Sequence, residues 1–206
     1  MKIKLCGFKE EGSTLAAIKA GADFIGFVFN ENSPRNIDLN AAEKLVKIIP
    51  QNVDRVAVVV DVEMVFLEQI IAKISPNYIQ FHGNEAIEFL EKFRQKFPQI
   101  KIIKAFKIAA KEDLQRVQDF KNIADLFLFD GKNPGGGLAF DWNILREFNC
   151  AKSWFLAGGL NINNIKEALE KTGAPMVDIS SGIEEIRGEK SPKLIKQLME
   201  ELKKIC

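Results

Sequence analysis

Short apolar runs alternate with amphipathic stretches along the whole chain. Several of the runs are rich in Val, Ile and Phe and contain few polar breaks, which is typical of strands buried on both faces of a parallel sheet. The eight runs cover residues 3–6, 24–29, 55–60, 78–82, 101–106, 126–130, 153–157 and 176–180.

The stretches between the runs carry the spacing of amphipathic helices. Within residues 39–49, 86–97 and 194–205, apolar side chains recur on one stripe of a helix. Residue types that favour the start of a helix stand near several of these stretches. The candidate caps are Ser13, Asp38, Asn84, Asp141, Asn161 and Ser191.

This alternation gives eight strand–helix units in 206 residues. Such units predict parallel strands joined by right-handed crossovers. Eight of them favour closure, so we predict an α/β fold in which residues 1–206 form a single (β/α)8 TIM barrel, as one catalytic domain. An open, doubly wound sheet is the main alternative.

Composition and charge place the chain among ordinary globular proteins. Hydrophobic residues make up 47% and charged residues 28%, and the net charge is +1. A protein with this charge balance has no general electrostatic attraction to nucleic acid or to an anionic membrane, and we expect neither as a partner. The three cysteines lack the spacing of a disulfide framework or a zinc site. No apolar run approaches the roughly 20 residues of a membrane helix, so we expect a soluble, cytoplasmic protein.

Candidate chemistry lies at the ends of the runs, which a closed barrel brings together around one opening. Cys6 ends the first run and Asp130 the sixth. A thiol and a carboxyl there suit a base and an acid that act on one small substrate. Glycines and serines after the last two runs allow a phosphate to approach the backbone, although tight turns would also explain each loop alone. These residues are Gly158, Gly159, Ser180, Ser181 and Gly182.

With these features in place, the chain resembles the phosphoribosylanthranilate isomerase family of tryptophan biosynthesis. The matching motifs begin with Lys4-Leu5-Cys6-Gly7, end with Asp178-Ile179-Ser180-Ser181-Gly182 and run through the chain in order. Between them lie Gly26-Phe27-Val28-Phe29, Ser33-Pro34-Arg35, Gln80-Phe81-His82-Gly83, Lys104-Ala105-Phe106, Phe140-Asp141-Trp142 and Ala157-Gly158-Gly159-Leu160-Asn161. The resemblance implies a (β/α)8 barrel and the Amadori rearrangement of a phosphosugar, N-(5-phosphoribosyl)anthranilate.

The resemblance also implies roles for single residues. Cys6 would be the general base and Asp130 the general acid of a reaction that needs no cofactor and no metal. Arg35 would pair with the substrate carboxylate, since a guanidinium binds a carboxylate bidentately. His82 would orient the substrate, and Asp178 would hydrogen-bond near the thiol or a ribose hydroxyl. We expect Lys104, by contrast, to be structural.

Two places depart from the family pattern. Lys9 replaces a small hydroxyl residue, and the glycine-rich loop 134–139 lacks its usual hydroxyl. These changes bear on loop order and affinity more than on reaction type.

Other phosphosugar barrels are alternatives. A pentose-phosphate epimerase would use several metal-binding histidines, and this chain has one. The related isomerase of histidine biosynthesis would carry a carboxylate at the position of Cys6. A non-catalytic, phosphate-binding barrel is the alternative from a different class. Both a monomer and a homodimer agree with the sequence.

Overall fold

Eight parallel strands close into a barrel in the computed structural model of the chain, which describes residues 1–131, 140–146, 148–150 and 152–205. Each strand pairs with the next, and the eighth pairs with the first. The strands are β1 (Lys2–Cys6), β2 (Phe24–Phe29), β3 (Asp54–Val59), β4 (Tyr78–Phe81), β5 (Lys101–Ile108), β6 (Leu126–Gly131), β7 (Trp154–Leu156) and β8 (Met176–Ile179). The predicted (β/α)8 barrel is confirmed.

Helices surround the barrel. They are α1 (Glu11–Ala20), α2 (Leu39–Val46), α3 (Met64–Ile74), α4 (Ile87–Lys96), α5 (Ile165–Thr172) and α6 (Pro192–Ile205). The segments after β5 and β6 instead contain the 3₁₀ helices Lys111–Phe120 and Trp142–Leu145. In the part of the chain that the structure describes, no helix has the length and apolar character to cross a membrane.

The predicted helix caps are only partly confirmed. Asp38 accepts hydrogen bonds from the backbone N–H groups of Asn40 and Ala41, at 2.9 and 3.0 Å. Ser13 is a wrong prediction, because α1 already begins at Glu11. Asp141 and Ser191 also bond the first turn of their helices, whereas Asn84 and Asn161 stand outside the capping positions of α4 and α5.

Alternation along the strands produces two apolar layers. Outward side chains pack against the helices in the larger cluster, and inward side chains fill the barrel. Near the amino ends of the strands, Phe24 meets Tyr78 and Phe155 edge to face, with ring centroids 5.6 and 5.2 Å apart. These rings belong to the inner cluster, and the polar side chains that line the cavity described below lie at the carboxyl ends of the strands.

A short hairpin that the sequence did not predict follows β8. The 3₁₀ helix Ser181–Ile183 leads into β9 (Glu184–Ile186), which pairs antiparallel with β10 (Glu189–Lys190). Gly188 forms its turn with φ +90, and a Cβ atom there would lie 2.5 Å from the carbonyl oxygen of Pro34. The turn therefore requires glycine, and it holds the hairpin against the loop after β2.

Candidate active site

A cavity of about 310 Å³ opens at the carboxyl ends of the strands. Six residues that the sequence singled out line it from different parts of the chain, namely Cys6, Arg35, His82, Asp130, Asp178 and Ser180. The structure thus brings the thiol and the carboxyl of the sequence analysis to one opening, as expected for strand ends in a closed barrel.

Cys6, the last residue of β1, turns its side chain into the barrel and is buried. The neighbouring strand presents Gly26, where a Cβ atom would lie only 2.6 Å from the thiol sulfur. Burial raises the pKa of the Cys6 thiol, and the charge of Asp178 adds to this increase. Lys4 and Lys190 oppose it. Cys6 needs these cations if it is to act as a thiolate.

Lys4 and Asp178 form a buried ion pair beneath the thiol. The Nζ atom of Lys4 lies 2.8 Å from Oδ2 of Asp178. Burial alone would lower the pKa of Lys4, but Asp178 and Cys6 outweigh it and the pKa is raised. Among the described residues, Oδ1 of Asp178 has no hydrogen-bond partner. This oxygen is a ready acceptor for a hydroxyl group in the cavity.

Asp130 and His82 lie next to each other in the wall of the cavity. The Nε2 atom of His82 lies 3.4 Å from Oδ2 of Asp130, and Nδ1 lies 2.9 Å from the amide nitrogen of Gln80. With that amide as donor, Nδ1 accepts and the ring proton sits on Nε2, towards Asp130. The other oxygen of Asp130 accepts the N–H of Gly131 at 2.7 Å. The carboxyl is therefore fixed on one side and faces an imidazole on the other.

Arg35 is held by a carboxylate of the hairpin. Its Nε and Nη2 atoms donate to the two oxygens of Glu184 at 2.7 and 2.8 Å. Lys190 donates to the same carboxylate at 2.6 Å. Burial would raise the pKa of Glu184, but these cations lower it to about 2. Binding of a substrate carboxylate by Arg35 stays a prediction, and Glu184 fixes the direction of the guanidinium.

The glycines after β7 and β8 bring two loops together beside the cavity. Gly158 and Gly159 adopt φ values of +87 and +65. A Cβ atom on Gly182 would lie 2.0 Å from the carbonyl oxygen of Leu160, so only glycine permits this contact. Of the five predicted phosphate residues, Ser180 lines the cavity. Gly158, Gly159, Ser181 and Gly182 lie at the adjoining strand ends, and phosphate binding there stays a prediction.

Sequence reasoning missed several polar residues around the site, and four of them make contacts described above. Two of these four could have been predicted from the sequence. Lys4 and Gln80 stand two positions before Cys6 and His82, and residues two positions apart in a strand lie on the same face. The other two, Glu184 and Lys190, depend on the hairpin, for which no pattern was recognised.

The two departures from the family pattern have different outcomes. Lys9 donates to the carbonyl oxygen of Pro34 at 3.0 Å, which ties the loop after β1 to the loop after β2. The glycine-rich loop 134–139 lies outside the described residues.

Together, the fold and the site define a (β/α)8-barrel enzyme with a thiol, a carboxyl and several cations around one cavity. The sequence model of the family described as N-(5'phosphoribosyl)anthranilate (PRA) isomerase matches residues 3–201. The chain belongs to this family. It is 39% identical over 205 residues to an N-(5'-phosphoribosyl)anthranilate isomerase of Zymomonas mobilis, a match that covers 97% of each chain.

Solved structures agree with this assignment. A crystal structure of monomers generated from the dimeric phosphoribosylanthranilate isomerase of Thermotoga maritima superimposes with a TM-score of 0.86 at 29% identity. A structure of such an isomerase with reduced 1-(o-carboxyphenylamino)-1-deoxyribulose 5-phosphate gives the same TM-score and identity. Both matches cover 99% of this chain and 99% of the other.

Proposed function

We propose that this isomerase uses Asp130 as general acid and Cys6 as general base. They would convert N-(5'-phosphoribosyl)anthranilate into 1-(2-carboxyphenylamino)-1-deoxyribulose 5-phosphate. The observation that carries the proposal is the placement of both side chains on the wall of one cavity, at the carboxyl ends of β1 and β6. Family membership supplies the reaction, and the geometry supports the roles.

The first step needs an acid. Asp130 protonates the ring oxygen of the ribose, the C1–O bond breaks, and the nitrogen lone pair forms an iminium at C1. Asp130 is buried and lines the cavity, so its carboxyl group can approach the ring oxygen of a bound sugar. His82, 3.4 Å from its carboxyl oxygen, is the neighbour through which a proton can return.

The second step needs a base. Cys6 removes the proton from C2, and the electron pair of that C–H bond neutralises the iminium to give an enolamine. The enolamine then takes a proton at C1 while its C2 hydroxyl loses a proton, which gives the ketose amine. No electrons leave the substrate, so the sequence of steps calls for no redox cofactor. The thiolate required for the second step depends on the cations around Cys6.

Other residues would hold the substrate. Asp178 offers its unpartnered oxygen to a ribose hydroxyl, and His82 orients the sugar. Arg35, steered by Glu184, meets the anthranilate carboxylate. The glycine and serine loops after β7 and β8 receive the phosphate through backbone N–H groups, which bind anions well at this end of a barrel.

The same proposal extends to the partner, the cellular compartment and the oligomeric state of the enzyme. We infer that its partner is the small phosphosugar, since the balanced net charge gives no general attraction to nucleic acid or to a membrane. It would work in the cytoplasm, as one barrel domain, either as a monomer or as a homodimer. A non-catalytic phosphate-binding barrel has less support, because it would have no use for the buried thiol and carboxyl.

The direct test mixes purified protein with freshly prepared N-(5'-phosphoribosyl)anthranilate in the presence of EDTA. The proposal predicts that substrate fluorescence decays and that the ketose amine accumulates in equal amount. A correctly folded protein that leaves the substrate unchanged would refute it.

A further inference from the structure

One buried charge at the centre of the barrel has no place in the steps above. Lys4 is fully buried, although an ammonium group is costly to remove from water unless it is paired. It lies on β1 two residues before Cys6, and alternation along the strand points both side chains into the barrel. The lysine and the thiol are therefore neighbours on the same wall.

Lys4 is held in place by Asp178 on the inner face of β1 that also carries Cys6. Its Nζ atom lies 2.8 Å from Oδ2 of Asp178, and the charge of Lys4 lowers the pKa of the Cys6 thiol against the effect of burial. The charged groups that face the thiol from neighbouring elements are Lys4 on β1, Asp178 on β8 and Lys190 on β10. The strand β2 presents only Gly26. Among the described residues, Lys4 and Lys190 are the cations whose charges lower the pKa of the thiol.

The second cation, Lys190, donates its hydrogen bonds to groups other than the thiol. Its three N–H groups have acceptors in the carbonyl oxygen of Ser180, the hydroxyl of Ser180 and the carboxylate of Glu184, at 2.9, 3.1 and 2.6 Å. Burial also lowers the pKa of Lys190 to about 8, so its charge is less secure near neutral pH. Lys4 keeps its charge, because its pKa is raised, and it lies on the same face of β1 as the sulfur.

We propose that Lys4 is a positioning residue for Cys6: its ammonium group, anchored on Asp178, holds the thiolate that removes the C2 proton. This inference rests on the proposed role of Cys6 as the base. Lys4 does not touch the reacting atoms and acts only through the sulfur.

The test titrates the thiolate of Cys6 by its ultraviolet absorbance, with Cys6→Ser subtracted as the blank, in wild type and in Lys4→Met. We expect the apparent pKa of Cys6 to rise by at least one unit in Lys4→Met, which lowers the thiolate fraction near pH 7 about tenfold. Lys4→Arg should restore most of the thiolate. Lys2→Met removes a lysine from the same strand farther from the thiol, and its titration should match wild type.

Kinetics then connect the thiolate to turnover. The acidic limb of the kcat profile against pH should move in Lys4→Met by the same amount as the titration, with KM nearly unchanged. Identical titrations of wild type and Lys4→Met would overturn the proposal. A shifted titration with an unshifted kcat profile would also overturn it.

Two further variants keep the test decisive. If Lys4→Met fails to fold because Asp178 is left unpaired, Lys4→Met/Asp178→Asn removes both charges, and its thiol titration should still lie above wild type. Full activity in Cys6→Ala would refute the base assignment, and with it the role of Lys4 in the reaction. If Cys6→Ala were fully active and the titration of Lys4→Met were still shifted, Lys4 would affect the pKa of Cys6 although Cys6 is not the base. The proposed function would then have failed, and the interaction between the two side chains would stand.

Discussion

Gly26 and Cys6 stand side by side on β2 and β1, and the space that the thiol occupies exists because Gly26 has no side chain. A Cβ atom at Gly26 would lie 2.6 Å from the sulfur and 3.2 Å from both Cα and Cβ of Cys6. The sulfur, and the strand that carries it, would have to move. The glycine therefore belongs to the geometry of the site although it carries no chemistry.

Gly26→Ala should consequently lower kcat strongly, because the thiol can no longer lie where the cavity places it. Overpacking should also cost about 1–3 kcal/mol of stability. The matched control is Gly12→Ala in α1, where an added Cβ meets nothing within 4 Å and should leave kcat unchanged. Steady-state kinetics and urea unfolding of the two variants decide the matter, and wild-type kcat in Gly26→Ala would contradict this account of the site.

Asp130→Asn should nearly abolish turnover while the barrel stays folded, because an amide cannot donate the proton that opens the ribose ring. A loss of about 10²- to 10⁴-fold in kcat is expected for a missing general acid. Asp119→Asn changes an exposed carboxylate and serves as control in the same assay. Circular dichroism should show the same fold in both variants, and near-normal kcat in Asp130→Asn would remove it from the mechanism.

Because of Glu184, the stability of the protein should fall as the pH becomes acidic. Its pKa lies at about 2 in the folded protein, against an ordinary 4.5. The stabilisation from its ion pairs is therefore fully present above about pH 4.5 and is lost as the pH falls towards 2. Urea midpoints at pH 6 and pH 3 should differ more in wild type than in Glu184→Gln. An equal difference in the two proteins would show that Glu184 keeps its ordinary pKa.

Lys104 should matter for stability through Glu85. The two side chains are buried and lie 2.8 Å apart, and Lys104 also donates to the carbonyl oxygen of Gly83 at 2.8 Å. Lys104→Met leaves the buried carboxylate of Glu85 without its cation and should cost about 3–5 kcal/mol in urea unfolding. The double variant Lys104→Met/Glu85→Gln should recover part of that loss. If both variants unfolded like wild type, the pair would be irrelevant to stability.

The periodicity of apolar residues and the residue types of the turns were enough to predict the barrel. They also predicted that Cys6 and Asp130 lie at the same opening of it. The apolar runs mark strands buried on both faces, and their number determines closure more than any single residue does. The boundaries shifted by one or two residues, as at β5, which continues to Ile108. The helix after β6 is only the 3₁₀ turn Trp142–Leu145.

The remaining features depend on contacts between distant segments. Nothing local in the sequence shows that Glu184 would hold Arg35, since 149 positions separate them. The need for Gly182 beside Leu160 likewise becomes visible only when two loops meet. The position of Lys4 beside Cys6 could have been predicted from the sequence, because a strand places both side chains on the same face.

The most direct test of the central claim compares wild type with Cys6→Ala in the fluorescence assay on freshly prepared N-(5'-phosphoribosyl)anthranilate, with EDTA present. The account predicts decay of the substrate signal with wild type and essentially none with Cys6→Ala, whose fold should be intact by circular dichroism. Equal decay with both proteins would contradict the assignment of Cys6 as the base of this isomerase.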